Sequence, residues 1–226
     1  MNTRTHASLT VDNLIFGYRT GQLSLLLVRH GEGLSAGQWG LPGDWLRENE
    51  SLEQCAERVL ETRTGLKDME LRQLHTFSDP GRYPGQRIVT TAYWTLVRED
   101  RQAVRPSPDE EAAEWVNASD VPTLIFDHGS ILAAGLAALR QEVRHRPMGL
   151  DLLPPRFTFL ALQQLYEALT DRSFDKPNFR RKLQAFGHLV DTGDSVKEAG
   201  HRSAKLFRFD RRRYRALERQ GFSFTL

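Results

Sequence analysis

Cysteine, long apolar runs and a dominant sign of charge are all scarce in this sequence. Its 226 residues contain one cysteine, Cys55, so no internal disulfide can form, which is typical of a reducing compartment. No segment approaches the roughly 20 apolar residues of a membrane span, and the N-terminal stretch MNTRTHASLTVDN lacks the apolar run of a signal peptide. We therefore expect a globular, cytoplasmic protein. The content of 39% hydrophobic and 27% charged residues agrees with this expectation.

The net charge of +2 conceals an uneven distribution along the chain. Residues 1–150 contain 16 Lys and Arg against 20 Asp and Glu, whereas residues 151–226 contain 15 against 9. A mildly acidic first part joined to a basic tail is common in proteins that attach a sensor to a nucleic-acid binder. The alternative is that the surplus charge is an ordinary solvated surface.

The first part of the chain mixes strand and helix patterns. Residues 9–30 gather apolar side chains on both sides of a Thr-Gly turn, which predicts a hairpin, and residues 87–97 (RIVTTAYWTLV) predict another strand. A helix is predicted over 129–146, with Asp127 as its N-cap. The proline-flanked segment 147–155 then breaks the helical pattern. The predicted domains are therefore residues 1–150 and 151–226.

Another helix is predicted over residues 51–64. Ser51 and Gln54 fit a capping box, and Gly65 is a natural C-terminal stop. The apolar positions follow the i, i+3, i+4, i+7, i+8 stripe of a helix that lies on a sheet. They are Leu52, Cys55, Ala56, Val59 and Leu60.

The segment 44–66 resembles the Nudix box, whose pattern is G-x5-E-x7-R-E-U-x-E-E-x-G-U, where U is apolar. The preceding WGLPG and five positions match in one register: Glu50, Arg58, Leu60, Gly65 and Leu66. The first glycine of the box is Asp44 here. The three metal-binding glutamates of the box are replaced by Val59, Thr62 and Arg63.

These replacements bear directly on catalysis. Residues at i, i+3 and i+4 share one helix face, where the three glutamates of the box hold Mg²⁺ against a pyrophosphate and the metal activates water. A methyl-bearing side chain, a hydroxyl and a cation cannot do this. Three other glutamates lie elsewhere around the helix and predict a solvated stripe: Glu53, Glu57 and Glu61. We therefore predict that the protein is not an enzyme and has no resident metal or cofactor.

A Nudix fold that does not hydrolyse still implies a pocket for a nucleotide diphosphate. Arginines there could hold phosphate oxygens, and an aromatic ring could stack on adenine. The alternative for each residue is an ordinary core or surface role. The candidate ligand-binding residues are Arg29, Trp39, Asp79, Arg82, Tyr93 and His128.

Residues 156–226 predict a winged helix-turn-helix. An amphipathic helix over 158–169 is followed by a turn and a second helix over 176–186, with a proline in its first turn and a glycine after its end. The stretch 191–209 predicts a hairpin wing. The predicted core face of the second helix consists of Phe179, Leu183 and Phe186.

The outward face of that second helix is basic and rich in amides, which suits insertion into a DNA major groove. We expect Asn178 and Arg181 to read base edges, and Lys176, Arg202 and Lys205 to contact phosphates. A winged helix that binds protein is the alternative. The remaining candidates for DNA contact are Arg180 and Lys182, with His201 in the wing.

Together these motifs resemble the NrtR family, the Nudix-related transcriptional regulators of NAD metabolism. The resemblance covers nearly the whole chain, through the altered box, TFSDPGR, the FDH triplet at 126–128 and LYEAL…DKPNFRRKL. It implies an α/β (α+β) Nudix-like sandwich domain followed by a C-terminal winged helix-turn-helix domain. It also implies a repressor that binds a palindromic operator as a homodimer and releases it when ADP-ribose or a relative binds.

Two positions depart from the family pattern. Asp44 places an acidic group beside the expected diphosphate site, and Ser203 stands where relatives usually have proline in the wing. Two other functions stay open from the sequence. One is an ADP-sugar pyrophosphatase with a DNA-binding appendage, and the other is an adaptor that does not bind DNA.

Overall fold

The computed structural model describes residues 6–185, 187–197 and 203–219. The chain forms two compact units, which are described separately below. The first contains the chain up to Arg19 and Leu23–Ala138, and the second contains Leu139 onward with Thr20–Gln22. The division between the units lies inside a long helix, before the boundary that the sequence predicts at residue 150. Among the described residues, no helix is long and apolar enough to cross a membrane.

The first unit is built on a seven-stranded mixed sheet. Its strands follow the order β3-β2-β1-β6-β5, while β4 pairs with β1 and β7 pairs with β2. β1 and β6 run parallel, and the other described pairings, β1–β4, β2–β3, β2–β7 and β5–β6, are antiparallel. The elements are β1 (Ser8–Arg19), β2 (Gln22–His30), β3 (Trp39–Gly40), β4 (Gly43–Trp45), α1 (Leu52–Thr64), β5 (Arg72–Phe77), β6 (Ile88–Arg98), β7 (Glu110–Asn117) and α2 (His128–His145).

The core of this unit lies on both faces of β1. Residues 11–18 are all buried, because the strand is covered on two sides and has no solvent face along this stretch. On one face, α1 contributes Cys55, Ala56 and Val59. On the other, α2 approaches closely, since a Cβ on Gly135 would lie 2.5 Å from the Leu14 side chain. This packing gives the predicted sandwich.

The local predictions for this unit are largely confirmed. α1 begins after Ser51 with both capping-box hydrogen bonds present and ends at Gly65, which has a left-handed φ of 75°. The hairpin and the strand at 88–98 are present. The predicted cap of α2 is wrong in one respect. The Asp127 carboxylate accepts hydrogen bonds from Arg82, and the Asp127 backbone carbonyl accepts the first N–H groups of the helix.

The second unit has the arrangement of a winged helix. Its elements are α3 (Phe159–Thr170), α4 (Lys176–Ala185), β8 (Leu189–Lys197), β9 (Ser203–Phe209) and α5 (Arg211–Arg219). Phe157 adds a short bridge to β9 through two backbone hydrogen bonds with Phe207. Both predicted helices and the two-stranded wing are confirmed. Phe186, predicted as a core residue, lies outside the described residues.

Candidate ligand site and nucleic-acid interface

A cavity of about 210 Å³ opens beside the box helix in the first unit. Two glycines of the WGLPG segment pack closely against polar side chains of its wall. A Cβ on Gly43 would collide with the Asp12 carboxylate, and one on Gly40 would lie 2.9 Å from Nε2 of His30. A second depression of about 480 Å³ shares Arg82 and Phe126 with the cavity wall. The charged and aromatic residues of the cavity wall are Asp12, His30, Asp44, Trp45, Arg63, Arg82, Tyr83, Phe126 and His128.

A buried ionic network forms one side of the cavity. Arg82 donates two hydrogen bonds to the Asp127 carboxylate, at 2.9 and 2.7 Å, and its Nη2 lies 3.6 Å from Oδ2 of Asp12. Asp12 also accepts a 2.7 Å hydrogen bond from the Thr90 hydroxyl. The Arg82 side chain is only 4% exposed. Its charge is therefore balanced mainly by these two carboxylates.

His128 is neutral in this network. Its Nδ1 accepts a 2.9 Å hydrogen bond from the Leu41 backbone, so the ring proton is on Nε2, which lies 3.6 Å from Asp12. Burial lowers the pKa of His128, and the negative charge of Asp12 opposes this shift only in part. Protonation of Nδ1 would break the bond to Leu41.

The stabilising effect of His128 is therefore expected to fade in acid. Because its folded-state pKa is lowered, the unfolded chain takes up a proton first as pH falls below about 6.5, and stability is lost from there downward. Urea unfolding of wild type and His128→Gln at about pH 8 and about pH 5 measures this. We expect the advantage of wild type to shrink at the lower pH. His75→Gln, at an exposed histidine of β5, is the control. If the stability difference between wild type and His128→Gln is the same at both pH values, His128 is not the neutral buried histidine described above.

The box residues themselves form a second network. Arg58 binds Glu50 at 2.9 and 2.7 Å and Asp44 at 2.6 Å, and its hydrogen bonds lower the pKa of Glu50 to about 2. At the former glutamate positions, Val59 is fully buried in the core and the Thr62 hydroxyl donates to the Arg58 carbonyl at 2.8 Å. These residues do not fit a magnesium ion. Among the described residues, no group of three His, Cys, Asp or Glu is arranged to hold a metal.

The second unit presents a basic helix to solvent. α4 buries Phe179 and Leu183 and is capped by Asp175, whose carboxylate accepts the Asn178 N–H at 3.0 Å. Arg181 is exposed and its Nη2 donates to Oδ1 of Asn178 at 2.9 Å, so the two side chains act as one polar pair. The other exposed cations of this helix are Lys176, Arg180 and Lys182.

Basic residues also occur outside α4 in this unit. Lys205 on β9 pairs with Asp191 on β8 at 2.8 Å. α5 was not predicted, and it is rich in arginine (RRRYRALER), with Tyr214 as its buried anchor. Arg202 and His201 lie outside the described residues, so their predicted phosphate contacts remain predictions.

Comparison with known proteins agrees with this two-part architecture. The family model of the NUDIX domain matches residues 8–135, and that of the NrtR DNA-binding winged helix domain matches residues 149–209. The "ADPR responsive transcriptional repressor NtrR" of Acinetobacter baylyi is 32% identical over 222 residues, which cover 96% of this chain and 85% of that protein. The chain belongs to the NrtR family.

Two solved structures extend the likeness to this NrtR-family chain. Shewanella oneidensis NrtR in complex with a 27mer DNA superposes with a TM-score of 0.72 at 28% identity, covering 96% of this chain and 97% of that one. The NUDIX domain of the same protein in complex with ADP ribose superposes with a TM-score of 0.57 at 31% identity, covering 60% of this chain and 90% of that one.

The predicted ligand residues fall into three groups. Arg82 and His128 line the cavity, and Asp79 lines the neighbouring depression. Arg29 and Trp39 pair across β2 and β3 outside the cavity wall. The Arg29 guanidinium already donates to the Gly37 carbonyl at 3.0 Å and lies 3.2 Å from Glu111.

Tyr93, a candidate ligand residue in the sequence analysis, lies in the core instead. Its side chain is buried in the core cluster under α1, and its hydroxyl donates to Glu53 at 3.3 Å. The parallel register of β6 with β1 places the ring on the α1 face, away from the cavity wall. Tyr93 is therefore a core residue and cannot stack on a ligand in this cavity.

Sequence reasoning missed several residues of the cavity wall. Phe126 is 38% exposed, has a positive φ of 48° and lies 4.6 Å from the Tyr83 ring, while Trp45 is 45% exposed. Strained backbone in a bulky residue is often retained at binding sites. Tyr83 directly follows the TFSDPGR motif and Phe126 begins the FDH triplet, but neither motif indicates that the two rings converge.

Proposed function

We propose that this chain is a repressor of NAD-metabolism genes that binds ADP-ribose or a close relative without hydrolysing it. The observation that carries the proposal is a Nudix cavity whose box offers Arg63 in place of a metal-binding glutamate, joined in one chain to a basic recognition helix. The relatives described above support both parts, since one is named for its ADPR response and another is solved with DNA.

The cavity suits a nucleotide. The exposed rings of Trp45 and Phe126 and the half-buried ring of Tyr83 offer faces for an adenine, and the cationic residues offer donors for phosphate oxygens. We retain Asp79, Arg82 and His128 as candidate ligand residues. Arg29 and Trp39 are retained as residues that contact the outer part of a long ligand.

The second unit suits DNA. We propose that Asn178 and Arg181 read base edges in the major groove, while Lys176, Lys182 and Lys205 contact phosphates. Arg180 combines DNA contact with a cation–π contact, because its guanidinium lies 5.2 Å over the Phe159 ring. A homodimer would place two such helices on a palindromic operator, as one helix alone reads too few base pairs.

We expect no magnesium-dependent hydrolysis of ADP-ribose. Val59, Thr62 and Arg63 leave no carboxylate to bind the metal that activates water. The measurement is mass spectrometry for AMP and ribose phosphate after a long incubation with and without Mg²⁺. Metal-dependent turnover above a protein-free blank would favour the alternative, an ADP-sugar pyrophosphatase with a DNA-binding appendage.

A further inference from the structure

Arg63 occupies the position of a metal-binding glutamate and is itself surrounded by carboxylates. Its Nη1 lies 3.0 Å from Glu110 and 3.6 Å from Asp109, and its Nη2 lies 3.6 Å from Asp44. In a Nudix box the cation is a separate ion bound by glutamates of the helix. Here the helix supplies the cation, and β4, β7 and the segment before β7 supply the carboxylates.

The guanidinium is fixed in place by these contacts. The Glu110 side chain is only 1% exposed, so burial holds it in place. The Asp109 side chain is 77% exposed and free to turn toward solvent. Asp44 has a shorter bond to Arg58 at 2.6 Å, so it keeps a cationic partner when its contact with Arg63 is displaced. Displacement of the two 3.6 Å contacts would leave the Glu110 anchor intact.

Arg63 also keeps hydrogen-bond donors for a ligand. The described residues accept hydrogen bonds only from its Nη1, at Glu110 and Ser107, whereas its Nε and Nη2 have no hydrogen-bond acceptor within the described chain. The side chain is 19% exposed and lines the cavity. A planar guanidinium with two such donors matches the bidentate geometry of a phosphate.

We propose that Arg63 is the diphosphate-binding cation of this cavity and takes the place of Mg²⁺, so that the ligand binds without any metal. The inference rests on the proposed function, namely that the cavity takes ADP-ribose. The metal of a Nudix box both neutralises the phosphate charge and activates water, and metal-independent binding retains only the first of these two tasks. A guanidinium neutralises phosphate charge, but unlike a metal it cannot coordinate water and lower its pKa. The ligand is therefore held intact.

Isothermal titration calorimetry with ADP-ribose, in EDTA and in Mg²⁺, tests this directly. We expect wild type to bind with the same affinity, within about two-fold, under both conditions. Arg63→Ala is expected to weaken binding at least about ten-fold, because a charge-assisted phosphate contact is lost. Arg101→Ala, at an exposed arginine outside the cavity wall, is the matched control and should bind as wild type does.

Arg63→Glu provides a second readout that a structural role would not produce. It adds a carboxylate beside Asp44 and Glu110, so binding should be lost in EDTA and partly restored by Mg²⁺. Wild-type binding that is ten-fold weaker in EDTA would overturn the inference and leave the proposed function standing, even if the variants do not fold. Unchanged binding by folded Arg63→Ala would also overturn it. No binding by wild type under either condition would overturn the proposed function as well.

Discussion

Replacement of Arg82 by alanine is expected to lower the free energy of unfolding by about 3–5 kcal/mol. The Arg82 side chain is 4% exposed and the Asp12 side chain 7% exposed. Removal of the Arg82 guanidinium therefore leaves the Asp12 carboxylate buried without its nearest cation. It also removes the bidentate partner of Asp127, at the start of α2. Removing one partner of a buried ion pair lowers the free energy of unfolding strongly, because the remaining charge is left uncompensated. Replacing both partners by apolar residues is often nearly neutral by comparison.

Urea unfolding followed by circular dichroism measures this effect. Arg29→Ala is the matched control, since that side chain is 46% exposed and its loss should change stability by no more than about 0.5 kcal/mol. A stability of Arg82→Ala within about 1 kcal/mol of wild type would show that the network is not structural. Arg82 would then be free to act mainly as the phosphate contact that the sequence predicts.

Replacement of Arg181 by alanine is expected to reduce operator affinity by about 1–3 kcal/mol, or roughly five- to 150-fold. Arg181 is exposed on α4 and its guanidinium is oriented by the Asn178 amide. A base contact of this kind carries sequence preference, so the loss should be confined to specific DNA. Affinity for a scrambled duplex should change little.

Lys205→Ala is expected to behave differently. A phosphate contact affects all sequences alike, and its loss should flatten the slope of log affinity against log salt by about one. Because Lys205 pairs with Asp191, the variant also exposes an unpaired carboxylate near the wing, which adds to the loss. Lys67→Ala, at an exposed lysine of the first unit, is the control for a change of one charge. Equal losses of specific and non-specific binding in both variants would contradict the division of roles.

The sequence predicted those elements whose signals are local. α1 was predicted from a capping box, an apolar stripe and a terminal glycine, and α3 and α4 from apolar spacing with a proline near the start of α4. α5 was not, because its run of arginines contains too few apolar residues for a helical pattern to be recognised. It is stabilised by Tyr214, whose ring lies 5.7 Å from Phe209 and 5.8 Å from His188.

The candidate site was less predictable, because its contacts join distant parts of the chain. Arg63 meets Glu110 across 47 residues, and Arg82 meets Asp127 across 45. No periodicity in the sequence encodes such pairs. Tyr93 was predicted to contact the ligand but faces α1, since the side of a strand that faces a cavity depends on its register with neighbouring strands.

The response of operator binding to ADP-ribose tests the central claim most directly. Fluorescence anisotropy with a labelled duplex, selected by this protein from a randomised palindromic library, gives the affinity in EDTA with and without saturating ADP-ribose. A coupling of about 1–3 kcal/mol between the two sites predicts that ADP-ribose weakens operator binding roughly five- to 150-fold. Operator affinity that does not change with ADP-ribose bound would contradict the account.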